Sequence, residues 1–247
     1  MDRRNFIRTG SLALAGSVVA PTFASPFGGT SEKTAVSEAM KHFGVTENDL
    51  QKVIAAALEK GGDYADLFFE HTFSNYVGLR DREVNRCNSN IDFGMGVRVI
   101  SGDQTGYAYV EEITLNEMLR AARTAARIAS GTRKANPVAL TEKSIKTNFY
   151  TVSTPWDNLL LKDKMPYLQR LNDRIFDADK RVQKVSASLT DNTSHILFCN
   201  SEGVIFYDYR PMATLSAVCI MEENGKIENN YASRAYRKGA DFLTNEL

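Results

Sequence analysis

Three histidines, His42, His71 and His195, are the residues whose type most readily supports chemistry. They precede Phe43, Thr72 and Ile196, so none opens a His-Glu metal motif. Separations of 29 and 124 residues place no two of them on one helix face. A catalytic zinc takes three protein ligands and keeps a position open. Glu70, His71 and Cys87 are the one such set that can be drawn, but consecutive side chains on a strand point to opposite faces, which separates Glu70 from His71. No Gly-x-Ser-x-Gly nucleophile elbow occurs. The paired carboxylates Glu111-Glu112 and Glu222-Glu223 read as strand ends and hairpin flanks. The sequence therefore assigns no catalytic residue and no metal ligand, and leaves the substrate-binding residues unknown.

The glycines of "GMGVRVISGDQTGYAYV", residues 94 to 110, pose a second question. A dinucleotide fingerprint needs a third glycine where Val99 stands, and a helix after it to meet the pyrophosphate. A P-loop needs Gly-Lys-Ser/Thr, which is missing. The pattern fits a hairpin instead. Gly94 and Gly96 relieve crowding, Gly102-Asp103 makes the turn, and Val97 and Val99 share a face opposite Arg98 and Ile100.

The N-terminus reads as an address rather than as fold. Arg3-Arg4, Phe6 and Arg8 precede a mildly apolar run from Leu12 to Ala20 that is too short to span a bilayer. Small residues end at Ala24, so residues 1–24 resemble a twin-arginine signal peptide, and the mature chain is expected in the periplasm. The whole chain balances 30 basic against 30 acidic residues; cleavage at Ala24 leaves 27 and 29. That near-neutrality argues against nucleic acid as a partner, and no membrane association is expected after cleavage. Disulfides are permitted in that compartment. Three cysteines make no framework, and for Cys199 and Cys219 pairing and simple burial both stay open.

These residues need elements to hold them. Residues 25–44 read as a flexible leader with few large apolar side chains. A helix starts at Thr46-x-x-Asp49, with Leu50, Val53, Ile54, Ala57 and Leu58 at helical spacing, and stops at Gly61-Gly62. "YADLFFEHTF" and the loosely alternating "SNYVGLRDREVNRCNSN" follow as strands, the latter with turn residues inside it, and a further strand pair spans 93–110. Thr114-x-x-Glu117 caps a second helix whose Arg120, Arg123 and Arg127 form a solvated stripe. Residues 132–160 read as a connection. A third helix is expected near Asp163, with Pro166 in its first turn and Leu161, Met165, Leu168, Leu171 and Ile175 buried. The remainder is β, with Asn224-Gly225 as the strongest hairpin signal. Helices and strands in separate runs predict an α+β fold of antiparallel or mixed sheet with three main helices.

"FGMGVRVISGDQTGYAYVEE" resembles the Gly-x-Gly-Val-Arg-Val hairpin of the TldD/PmbA proteins, once called modulators of DNA gyrase. "GGDYADLFFEHTFSNYVGLRDREV" is similar to their first strands, and "RVQKVSASLTDNTSHILFCNSEGVIFYDYR" to their later Asn-Ser-x-Gly hairpin. The likeness runs from about residue 46 to 235, so a family domain is expected over 45–235, with Gly94, Gly96, Arg98, Gly102 and Gly106 as its structural hairpin motif.

The resemblance implies a zinc metallopeptidase system that processes peptides. In the TldD branch a C-terminal, mainly β half carries His-Glu-x-x-x-His and a later cysteine as the zinc site. The PmbA branch lacks that motif and pairs with the first. This chain resembles the N-terminal half, and residues 236–247 end where the catalytic half is expected, so no family catalytic residue carries over to it. The expectation is a non-catalytic half that helps wall a substrate chamber. It would form a homo- or hetero-oligomer with a TldD/PmbA-type subunit, and zinc would be held by the missing half or the partner. The other expectation is an exported peptide- or protein-binding module without enzymatic activity.

Overall fold

Four strands of 17 to 20 residues set the architecture, several times the usual strand length. They are β1 (Tyr64–Arg80), β2 (Glu83–Ser101), β5 (Val182–Asn200) and β6 (Val204–Glu223), joined by β3 (Gln104–Val110), β4 (Thr141–Glu142) and β7 (Lys226–Tyr236). A computed structural model describes residues 32–131, 136–143, 152–241 and 243. In it the strands form one curled sheet in the order β3-β2-β1-β5-β6-β4, with β7 on β6; every pair is antiparallel except β4 with β6.

Alternation along the strands decides which face is covered. Ala65, Leu67 and Phe69 of β1, with Met95, Val97 and Val99 of β2 and Leu197 and Cys199 of β5, lie beneath three helices. These are α1 (Glu32–Phe43), α2 (Glu47–Leu58) and α3 (Leu115–Ile128). Further along the same face, Val77, Leu79, Ala187, Leu189, Ala213 and Leu215 lie beneath α4 (Leu161–Ala178) and Trp156. Two apolar clusters thus share one sheet face, and a polar seam runs between them.

The caps follow the sequence. Thr46 accepts from the Asp49 N–H while Asp49 accepts from the Thr46 N–H, at 3.2 and 3.1 Å, which satisfies two donors at the start of α2. Asn224 and Gly225 both take positive φ in the β6–β7 turn, as a right-twisted hairpin requires.

Three expectations need correction, for residues 25–44, for β2 and for α4. The 25–44 leader gives way to helix α1 from Glu32: Val36, Ala39 and Phe43 recur at helical spacing and bury themselves against the sheet. Strand β2 is continuous from Glu83 rather than starting near 93, because the turn falls at Asp81-Arg82, both at positive φ. Asp81 is held there by backbone and side-chain bonds to Val185, and Arg82 by an ion pair to Asp173 and a stack on Phe176. Helix α4 is rolled from the expected face: Lys164, Leu168 and Asn172 are buried while Leu161 is exposed, because the seam presents Asp191 to it. It also starts earlier, with Asp163 accepting from the Leu160 N–H, so Pro166 falls in the second turn. Cys199 and Cys219 are free; they lie opposite Ile205 and Val185, at distant points along the β5–β6 ladder.

Candidate functional site: a three-histidine cleft

The polar seam brings all three histidines together. The antiparallel register sets His71 of β1 directly opposite His195 of β5, on the helix-covered face. Helix α1 supplies the third. Phe43 packs on Phe69 and Phe93, with ring centroids 5.6 and 5.9 Å apart, and this anchors the last turn so that His42 hangs over the strand pair. His42 Nε2 lies 2.8 Å from His71 Nδ1, and the His42 ring centroid is 5.1 Å from that of His195.

The short 3₁₀ turn Trp156–Asn158 closes the other side. Trp156 is fully buried and its indole N–H donates to the Lys238 carbonyl at 2.8 Å. This fixes Asp157, whose Oδ2 is 3.5 Å from His195 Nε2. His195 Nδ1 meets the Tyr207 hydroxyl at 2.7 Å. Burial, reinforced by neighbouring Tyr209 and Asp208, pushes the Tyr207 pKa upward, so the phenol stays protonated.

Burial pulls the other two imidazoles towards neutrality. His71 is lowered to about 4 by desolvation first, then by His42 and His195, against the opposing pull of Asp157. His42 is lowered by desolvation and then by His195, again opposed by Asp157. Both are neutral at pH 7, so one donates to the other across the 2.8 Å contact.

Beside these residues is a cleft of about 520 Å³, a size typical of ligand sites. Phe73, Ile91, Trp156 and Leu159 give it apolar walls, with Asn75, Asn90 and Asp157 among its polar groups. Chemically it offers imidazoles, amides and one carboxylate, which suits it to binding and orienting a ligand.

The zinc implied by the family likeness does not fit here. His42 Nε2 and His71 Nδ1 are taken up by each other, and the two His195 nitrogens face Tyr207 and Asp157. Among the described residues no group of three or more His, Cys, Asp or Glu is arranged to hold a metal ion. Glu70, His71 and Cys87 are not assembled into one site either. Glu70 faces away from His71 and accepts from Thr72, while Cys87 pairs with Val77, six residues along β1 from His71.

Gly94 and Gly96 lie in β2 and Gly102 occupies the β2–β3 turn at φ +55. Gly106 of β3 sits directly under α3: a Cβ there would lie 2.0 Å from the Ala125 carbonyl oxygen, so only glycine permits this helix–strand approach. Arg98 crosses to β1, where its Nε donates to Asp66 at 3.0 Å. Asp66 is buried, and burial raises its pKa despite that partner. Arg3, Arg4, Phe6 and Ala24, read from the sequence as a signal, lie outside the described residues. Sequence reasoning missed the convergence of His42, His71 and His195 with Asp157 and Tyr207, because only the strand register and the docking of α1 create it.

Residues 65–129 match the model of PmbA/TldA metallopeptidase domain 1, and residues 154–246 match that of the PmbA/TldA metallopeptidase central domain. The chain is 31 % identical over 183 residues to the metalloprotease TldD homolog of Haemophilus influenzae, covering 73 % of this chain and 38 % of that protein. It is 30 % identical over 185 residues to the TldD homolog of Buchnera aphidicola subsp. Acyrthosiphon pisum, covering 74 % and 38 %. Among solved structures, a candidate modulator of DNA gyrase from Bacteroides thetaiotaomicron superposes with a TM-score of 0.62 at 16 % identity, over 78 % of this chain and 45 % of that one. TldE from Thermococcus kodakarensis gives 0.56 at 14 %, over 76 % and 43 %. At those identities the two structures support the fold alone. The matched region covers between 38 % and 45 % of the length of these relatives, and with two consecutive family domains matched in order along it, the chain belongs to the TldD/PmbA metallopeptidase family.

Proposed function

We propose that this chain is a non-catalytic component of a TldD-type peptidase assembly, contributing wall and peptide-contacting surface to a substrate chamber. The observation that carries this reading is the ordered match to the first and central family domains over 65–129 and 154–246. In this reading the zinc and its water-activating glutamate belong to a TldD-type partner or to a C-terminal portion, and this chain's residues take no part in the hydrolytic step. Its own work is to present clefts and strand edges to a peptide and to keep that peptide extended. Arg3-Arg4, Phe6 and Ala24 support export by the twin-arginine route, which would place the assembly in the periplasm.

The test is affinity purification of the tagged chain from cells co-expressing a TldD-type subunit. Recovery of that subunit in a fixed ratio, on a complex that cleaves an unfolded peptide, is the expected result. Recovery of the chain alone, with the subunit in the flow-through, overturns the assembly.

A further inference from the structure

Strand β2 has an open edge. Strand β3 pairs with it only from Met95 to Ser101, so the stretch from Glu83 to Phe93 has no neighbour on its outer side among the described residues. Unpaired backbone N–H and C=O groups in such a row are a template for a further strand. What distinguishes this edge is that a cleft opens beside it on each face of the sheet. On the helix-covered face lies the 520 Å³ histidine cleft. On the opposite face lies a second cleft, of about 540 Å³, with Gly94 and Gly96 among its lining and Phe68, Tyr107 and Tyr109 as aromatic walls. Ile91 lines both and is 60 % exposed, a large apolar side chain left in solvent on the edge between them.

We infer that an extended peptide adds as a strand to the open edge of β2, with two adjacent basic residues entering the two clefts. The inference rests on the peptide-handling reading above and names its substrate class. Successive side chains of a strand point to opposite faces, so neighbouring residues of an added strand enter different clefts. Charge selects what enters. Asp157 lies in one cleft, and Glu70, Asp92 and Glu111 in the other, while no Lys or Arg lines either. The aromatic walls suit the rest of the side chain: methylene stems pack on Phe73 and Trp156 or on Tyr107 and Tyr109, and a cationic head is attracted to ring faces as well as to carboxylates.

The experiment uses the full chain and two fluorescein-labelled, end-blocked hexapeptides of identical composition and charge, Thr-Val-Lys-Lys-Val-Thr and Thr-Lys-Val-Lys-Val-Thr. Polarisation gives the affinities. The sole tryptophan, Trp156, lines the histidine cleft, so its emission reports occupancy. Adjacent lysines are expected to bind at least about tenfold more tightly than spaced ones, which place both lysines on one face. Replacing both lysines by norleucine, or N-methylating alternate peptide amides, is expected to abolish the preference. Asp157→Asn and Glu70→Gln should each move the Lys-Lys peptide towards the spaced one.

Equal affinity for the two lysine peptides reduces the effect to general electrostatics and overturns the inference. So does equal binding of the norleucine peptide. A dimer detected by sedimentation that excludes peptide also overturns it, because the edge then belongs to a second copy. None of these outcomes alters co-purification with a TldD-type subunit, so a failure here is distinguishable from a failure of the proposed assembly.

Discussion

Lys164 and Asp191 form an ion pair at 2.7 Å with side chains only 4 % and 1 % exposed, between α4 and β5. Asn75 donates to the other carboxylate oxygen at 2.9 Å, and the Lys164 ammonium lies 5.6 Å from the centre of the Trp156 ring. Lys164→Met keeps most of the aliphatic volume, so the perturbation is electrostatic rather than a cavity. It leaves the Asp191 carboxylate in a dry site with a single neutral donor. Removing one partner of such a pair costs about 3–5 kcal/mol, whereas an exposed pair such as Arg82–Asp173 contributes about 0–1 kcal/mol. At about 2–4 °C per kcal/mol for a chain of this size, the melting temperature should fall by about 6–20 °C. The double variant Lys164→Met/Asp191→Leu removes both charges and should recover most of that loss, since two apolar groups replace a buried pair at little net cost. Urea unfolding followed by Trp156 emission, with calorimetry alongside, measures all three proteins. A single-variant loss below about 1 kcal/mol would show that water reaches the pair and would refute the closed seam.

Gly106→Ala should unfold or loosen the α3–β3 contact, since its Cβ would sit 2.0 Å from a backbone oxygen; a loss above the usual 1–3 kcal/mol of overpacking is expected in urea unfolding, and a neutral result would contradict the close approach. Stability should fall as pH drops from 6.5 towards about 4. The unfolded chain binds protons that His71 and His42 refuse when folded, so their contribution is present above 6.5 and lost through that window. His71→Gln should lessen the drop in melting temperature between pH 7.5 and 5, and an unchanged drop would contradict the assignment. Asn172 is fully buried and its side-chain amide has no hydrogen-bond partner among the described residues, so Asn172→Leu should stabilise by about 1–2 kcal/mol in the same unfolding assay; destabilisation would point to a partner the amide needs.

The elements closed by local chemistry were legible in the sequence. Thr46-x-x-Asp49 and Asn224-Gly225 state a helix start and a hairpin turn within four residues each, and both stand where the sequence puts them. The α+β class followed from separate runs of helices and strands. Helix α1 was obscured because its apolar face is three spaced side chains, Val36, Ala39 and Phe43, in a polar stretch. The roll of α4 was illegible for a different reason. Lys164 is buried only because Asp191, 27 residues away, faces it, and periodicity counts lysine as a surface residue. The histidine cleft depends on register. A shift of one residue between β1 and β5 would turn His195 to the opposite face from His71, and nothing local to either residue reports their pairing.

The central claim is that this chain serves a TldD-type peptidase without holding its metal. Zinc content by mass spectrometry and peptide hydrolysis, measured together on the purified chain and again after addition of a TldD-type subunit, test it most directly. The account predicts substoichiometric zinc and no cleavage for the chain alone, with cleavage and one zinc per catalytic subunit in the mixture. Stoichiometric zinc and chelator-sensitive cleavage by the chain alone would contradict it.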